Sequence, residues 1–135
     1  MAITLSLASA EKPLPYDLVW SDELTWSPIT LKKNYSIEGA MFLDRFVRRA
    51  GRPITLLGSE TRSWIKRSLL LELQAWASLE NDPIFKLQLN GNEYQVIFDL
   101  GEDGTNAVRA VPVFPFDVLL PDDPYCSLEL RFITV

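Results

Sequence analysis

Two runs of alternating residues meet across an Asn-Gly pair: Ile84-Phe-Lys-Leu-Gln-Leu89, then Asn90-Gly91-Asn92, then Glu93-Tyr-Gln-Val-Ile-Phe98. Asn-Gly supplies the φ > 0 positions of a tight turn, and period two sends successive side chains to opposite faces, so this segment is constrained to a β-hairpin. The same period recurs along the chain. Ile3, Leu5 and Leu7 alternate with Thr4, Ser6 and Ala8, while Ile29, Leu31, Lys33, Tyr35 and Ile37 alternate with Thr30, Lys32, Asn34 and Ser36. Near the end, Leu128, Leu130, Phe132 and Thr134 alternate with Glu129, Arg131, Ile133 and Val135, and Val108 to Val113 is a further short strand. The chain is therefore built mainly from strands.

One stretch has helical period instead. Between Ser63 and Leu79, Ile65, Leu69, Leu73 and Trp76 form a stripe flanked by Leu70 and Ala77, with Ser63 placed to cap the start and Asn81-Asp82-Pro83 to end it. A single amphipathic helix in a strand-rich chain must lay its apolar stripe on a sheet. Residues 40–50 fit either a helical stripe of Phe42, Leu43, Phe46 and Val47 or a strand; the bracketing Gly39 and Gly51-Arg52-Pro53 favour a strand that returns as Ile54-Thr55-Leu56-Leu57. Glu11 to Pro28 holds three of the nine prolines and two of the four tryptophans, which predicts an extended arm with at most a short strand near Leu18 to Trp20. Loops are expected over 100–106 and 114–124. The expected fold is α+β, mainly β with about six to eight strands and one α-helix. Residues 1–28 form an N-terminal strand and Pro/Trp-rich arm, and residues 29–135 a β-rich domain with the helix at about 63–79.

Composition removes most chemistry. The 135 residues include no histidine and one cysteine, so a disulfide framework, a Cys/His zinc site, a Ser-His-Asp triad and a Cys-His dyad are all excluded within one chain. The adjacent acids Asp22/Glu23, Glu102/Asp103 and Asp122/Asp123 lie in glycine- or proline-bearing loops without a calcium-loop pattern, and Gly51-Arg-Pro-Ile-Thr55 matches no phosphate-binding motif. Catalytic, cofactor-binding and metal-binding residues are accordingly expected to be none, and no enzyme activity is expected. Thirteen basic against 18 acidic residues give a net charge of -5, the wrong sign for gripping phosphate backbones, so no nucleic-acid binding is expected. The first ten residues are apolar but lack the positive start of a signal peptide and read better as a strand, and no apolar run is long enough to cross a bilayer; a reducing interior and no membrane are expected.

Charge is unevenly spread. From Arg45 to Arg67 seven basic residues stand against the single acid Glu60, a net of +6, whereas from Asp99 to Asp123 six acids stand against Arg109 alone, a net of -5. Such a chain can join head to tail with copies of itself, pair its charges internally, or offer its basic stretch to an acidic partner.

Taken together, Leu14-Pro-Tyr-Asp-Leu-Val-Trp-Ser-Asp-Glu-Leu-Thr-Trp-Ser-Pro28, then Gly51-Arg-Pro-Ile-Thr-Leu56, then a helix led by Trp64, then a hairpin with Val96-Ile-Phe98 resemble small tail proteins of tailed bacteriophages and prophages. The resemblance implies a β-sandwich or split barrel flanked by the one helix, and a virion structural component of the distal tail or baseplate, assembled in the bacterial host cytoplasm as an oligomeric ring. Six copies are the leading number, and tail-tube, hub or baseplate proteins are the neighbours. On that reading Trp20 and Trp26 anchor a clasp on the next subunit, and Arg48, Arg49 and Arg52 face its Asp122 and Asp123. The alternative is a carbohydrate- or protein-binding module in which exposed tryptophans such as Trp20 and Trp26 stack on a ligand.

Overall fold

The computed structural model describes residues 3–48, 50–81, 83–100, 106–114 and 118–135. Among these residues eleven strands and one helix follow in the order β1 (Ile3–Leu7), β2 (Ala10–Leu14), β3 (Val19–Trp20), β4 (Ile29–Tyr35), β5 (Met41–Val47), β6 (Pro53–Leu57), β7 (Ile65–Lys66), α1 (Arg67–Ala77), β8 (Phe85–Leu89), β9 (Asn92–Phe98), β10 (Val108–Pro112) and β11 (Pro124–Thr134). The fold is α+β, mostly strand, with antiparallel sheets that do not close into a barrel. Nine strands form one sheet in the order β2-β1-β8-β9-β11-β6-β3, with β10 and β7 also paired to β11; β4 and β5 form a second sheet of their own.

The Asn-Gly hairpin is present as expected. Asn90 (φ 52°) and Gly91 (φ 81°) make the turn, and Leu89 pairs with Asn92. The last strand organises the rest. Arg109 lies opposite Glu129 but Val111 lies opposite Cys126, so β11 carries an extra residue, and Ser127 there adopts φ 52° with its N–H donated to Ser59 O. This bulge lets one strand change partners: Pro124 and Tyr125 pair with β7, while Glu129 to Ile133 pair with β6.

The inward faces of these strands make the core. Leu5, Leu56, Leu87, Val96, Leu128 and Leu130 are fully buried, and Trp76, Phe85, Phe98 and Phe132 follow one another at ring separations of 5.5, 5.0 and 4.9 Å. Leu70, Leu73 and Ala77 press the helix onto this core, with Leu69 and Trp76 beside them, as the stripe predicts.

Three sequence expectations need correction. Ser63 does not cap the helix: it sits at φ 59° and donates its hydroxyl to Asp17 Oδ1 at 2.7 Å, while Ile65 and Lys66 are drawn into β7 by Tyr125 and Pro124. The helix begins at Arg67, where the N–H groups of Arg67 and Ser68 donate to Asp123 O and Pro121 O, so the loop before β11 serves as the cap. Residues 54–57 are not the return strand of 40–50. Strand β5 pairs with β4, and β6 pairs with β11 and β3, because partners distant in sequence outcompete the nearest turn. Finally, the segment over 11–28 has the short strand expected near Leu18 to Trp20, as β3, but also a second strand. Its β2 extends the sheet beyond β1, with Pro13 tolerated on an edge strand, and β3 closes the other edge against β6. Within the expected β-rich segment 29–135, strands β4 and β5 pair only with each other and are exposed throughout.

Candidate interaction surface

Strands β4 and β5, seven residues each, pair in register from Ile29↔Val47 to Tyr35↔Met41. The connecting turn is closed by Ser36 N–H to Ala40 O at 2.7 Å, by Gly39 N–H to Ser36 O at 3.0 Å and by Ala40 N–H to Ser36 Oγ at 3.1 Å, with Gly39 at φ 86°. Residues opposite one another in an antiparallel pair share a face. One face of this arm therefore carries Ile29, Leu31, Tyr35, Met41, Leu43 and Val47 together with Lys33 and Arg45. The other carries Thr30, Lys32, Asn34, Phe42, Asp44 and Phe46, with Lys32 opposite Asp44. Every residue of both strands is exposed, and Ile37 at the tip is fully so. A period-two apolar pattern normally marks burial, and here it buries nothing within the chain.

The root of the arm is held firmly. Arg48 N–H donates to Pro28 O at 2.6 Å, so the two ends of the arm touch. Beneath them the Arg48 guanidinium lies 5.3 Å from the Trp26 ring centroid, and the Arg52 guanidinium lies 4.5 Å from Trp20 and 5.6 Å from Trp26. Arg52 Nη2 donates to Glu23 O at 2.9 Å, and Trp20 packs edge-on against Tyr94 at 5.7 Å. Among the described residues neither Trp20 Nε1 nor Arg52 Nε has an acceptor, so ring-face attraction and packing hold the stack together with that one bond to Glu23 O. Asp22 locks the same loop to the sheet: it accepts Thr55 N–H at 2.9 Å and Thr55 Oγ1 at 3.0 Å, and Ser21 N–H donates to Thr55 O.

The structure thus brings together four of the residues singled out from sequence, Trp20, Trp26, Arg48 and Arg52, within one subunit. Trp20 is buried and Trp26 half-buried. Arg49 lies outside the described residues. Asp122 is exposed, 3.7 Å from Lys66 Nζ, and Asp123 turns its carboxylate back to accept Leu120 N–H at 2.8 Å. These two acids belong to the loop that caps α1, apart from the arginine stack. Of the carboxylate pairs, Asp22 serves Thr55 as described, and Glu102 and Asp103 lie outside the described residues. No group of three or more His, Cys, Asp or Glu placed to hold a metal occurs among the described residues, and no helix among them is long and apolar enough to cross a membrane.

Sequence reading missed the arm itself. The available signal was the near-equal length of two apolar-alternating runs on either side of Ser36 to Ala40, bracketed by Trp26-Ser-Pro28 and Arg48. A second apolar feature lies at the far end of the helix. A cleft of about 130 Å³ is lined by Trp76, Leu79, Pro83, Phe85, Phe98 and Leu100 among others, with Leu79 and Leu100 exposed in it. Comparison of the chain with protein-family models, with curated proteins and with solved structures finds no match.

Proposed function

We propose that this protein is a non-enzymatic structural subunit of a bacteriophage tail, in the distal-tail or baseplate region, which works as one member of a ring of identical copies. The observation that carries the ring is the arm of β4 and β5: an apolar face with no covering in its own chain, held at a firmly fixed root. An isolated two-stranded hairpin is marginal in water, and a patch of this kind on a lone soluble chain invites aggregation. Both liabilities vanish when the arm lies against a neighbour. The assignment to a phage tail rests on the sequence resemblance. A module that stacks sugars on Trp20 and Trp26 has less to work with, since one ring is buried and two guanidinium groups already lie by the other.

Mass photometry and negative-stain microscopy of the purified protein test the ring. Closed particles with a central opening are expected, and a monomer at every concentration up to precipitation would refute the reading. The genes on either side of this one test the tail assignment: tail structural genes are expected, and an unrelated metabolic cluster would count against it.

A further inference from the structure

We infer that the polar and aromatic face of the arm pairs with the same face of a second copy, about a two-fold axis that runs along the strands. This is the face opposite the one that carries the ring, so the pairing goes beyond the reading above and stands or falls separately. It holds Thr30, Lys32 and Asn34 on β4 and Phe42, Asp44 and Phe46 on β5, with Thr30 across from Phe46, Lys32 from Asp44 and Asn34 from Phe42. All of them are exposed. Among the described residues neither Lys32 nor Asp44 makes an ion pair, so both charges are open to a partner.

The register selects the partner. Two sheets packed face to face lie about 10 Å apart with their strands nearly aligned. A half-turn about an axis along the strands lays β4 of each copy over β5 of the other, so every residue meets the counterpart of its own cross-strand neighbour. Lys32 then meets Asp44 of the other copy, and Asp44 its Lys32, while the large Phe42 and Phe46 meet the smaller Asn34 and Thr30. Opposite charges face each other and large side chains face small ones, as a self-complementary surface requires. The same half-turn on the other face of the arm sets Arg45 on Leu31, Lys33 on Leu43 and Tyr35 on Met41, which puts cations on apolar side chains and large on large. An axis across the strands, centred on the middle pair, would set Lys32 on Lys32 and Asp44 on Asp44. Charge and size therefore single out one face and one axis.

The test captures the contact covalently, because a face this small holds its partner only briefly. A water-soluble carbodiimide joins an amine to a carboxylate that touches it, and mass spectrometry identifies the joined peptides. Wild-type protein mixed from ordinary chains and chains labelled with heavy nitrogen is expected to give Lys32–Asp44 links that hold one chain of each kind. A second mixture gives each chain a single sign on this face. Asp44→Lys leaves lysine at positions 32 and 44, and Lys32→Asp leaves aspartate at both, so neither variant suits itself but each suits the other. Like charges across each hairpin persist in that mixture, so links between position 32 of one variant and position 44 of the other report contact between copies and not a repaired fold. They are expected to form, whereas Lys33, on the opposite face, is expected to give none. Links confined to single chains in the wild type, or none between variants that keep the wild-type far-UV circular dichroism, overturn the pairing and leave the ring standing wherever closed particles form. Links from Lys33 as abundant as those from Lys32, or links from positions 32 and 44 to the body of another copy in place of its arm, overturn it too. Mixed links without closed particles uphold the pairing and overturn the ring.

Discussion

Gly58 has no space for a methyl group. A Cβ there would lie 3.0 Å from Ser63 Cβ and 3.3 Å from Leu128 N, and both neighbours are pinned, Ser63 by its bond to Asp17 and Leu128 by the bond its carbonyl accepts from Gly58 N–H at 2.7 Å. Gly58→Ala is expected to cost roughly 1–3 kcal/mol, seen as a lower urea midpoint with an unchanged slope. Asp22 is a similar case in polar chemistry. Removing its carboxylate leaves the half-buried Thr55 N–H and hydroxyl without their acceptor, so Asp22→Ala is expected to destabilise by about 1–3 kcal/mol in the same titration. Neither role was legible in the sequence. Asp22 looked like one half of an exposed acidic pair because its partner lies 33 positions away, and Gly58 carried no turn signal because its constraint is a close approach between strands.

At the scale of elements, the helix separates burial from exposure along two turns. Leu73 is fully buried and Leu71 is about half exposed, so Leu73→Ala is expected to cost roughly 2–5 kcal/mol and Leu71→Ala within about 0.5 kcal/mol, measured side by side by chemical unfolding. The arm makes a different prediction. No described residue between Trp20 and Ile54 belongs to the core, and Arg48 N–H already meets Pro28 O. Replacing residues 29–47 with a short Gly-Ser link is therefore expected to leave a folded core that melts within a few degrees of the parent, while assembly is lost. Loss of the cooperative melt would show that the arm supports the core. Strand and helix existence were readable because period two and the 63–79 stripe are local properties. Partnership was not: β6 lies next to the Gly51 turn in sequence yet pairs with β11, whose residues 129–133 follow 72 to 80 positions after their partners, and a period-two pattern states that a face is covered without stating by which chain.

For the whole molecule, area decides how assembly should proceed. Seven residues on two strands present a face of about 23 by 10 Å, or roughly 230 Å². A stable pairwise interface hides about 800 Å² on each partner, so one arm on one neighbour falls well short. The cost of immobilising a second molecule is met only when each added copy makes more than one contact, and ring closure does this by supplying two contacts to the last copy for one loss of freedom. Assembly should then be steeply cooperative: sedimentation velocity across a concentration series is expected to show monomer and one closed species, with dimers and trimers scarcely populated. Raised salt is expected to move the threshold upward, because Lys33 and Arg45 are exposed and surface attraction of that kind is screened within about 10 Å at 0.1 M salt. A ladder of stable small oligomers would mean that each pairwise contact is far larger than the arm provides, and a threshold indifferent to salt would mean that charge has no part in choosing the partner surface.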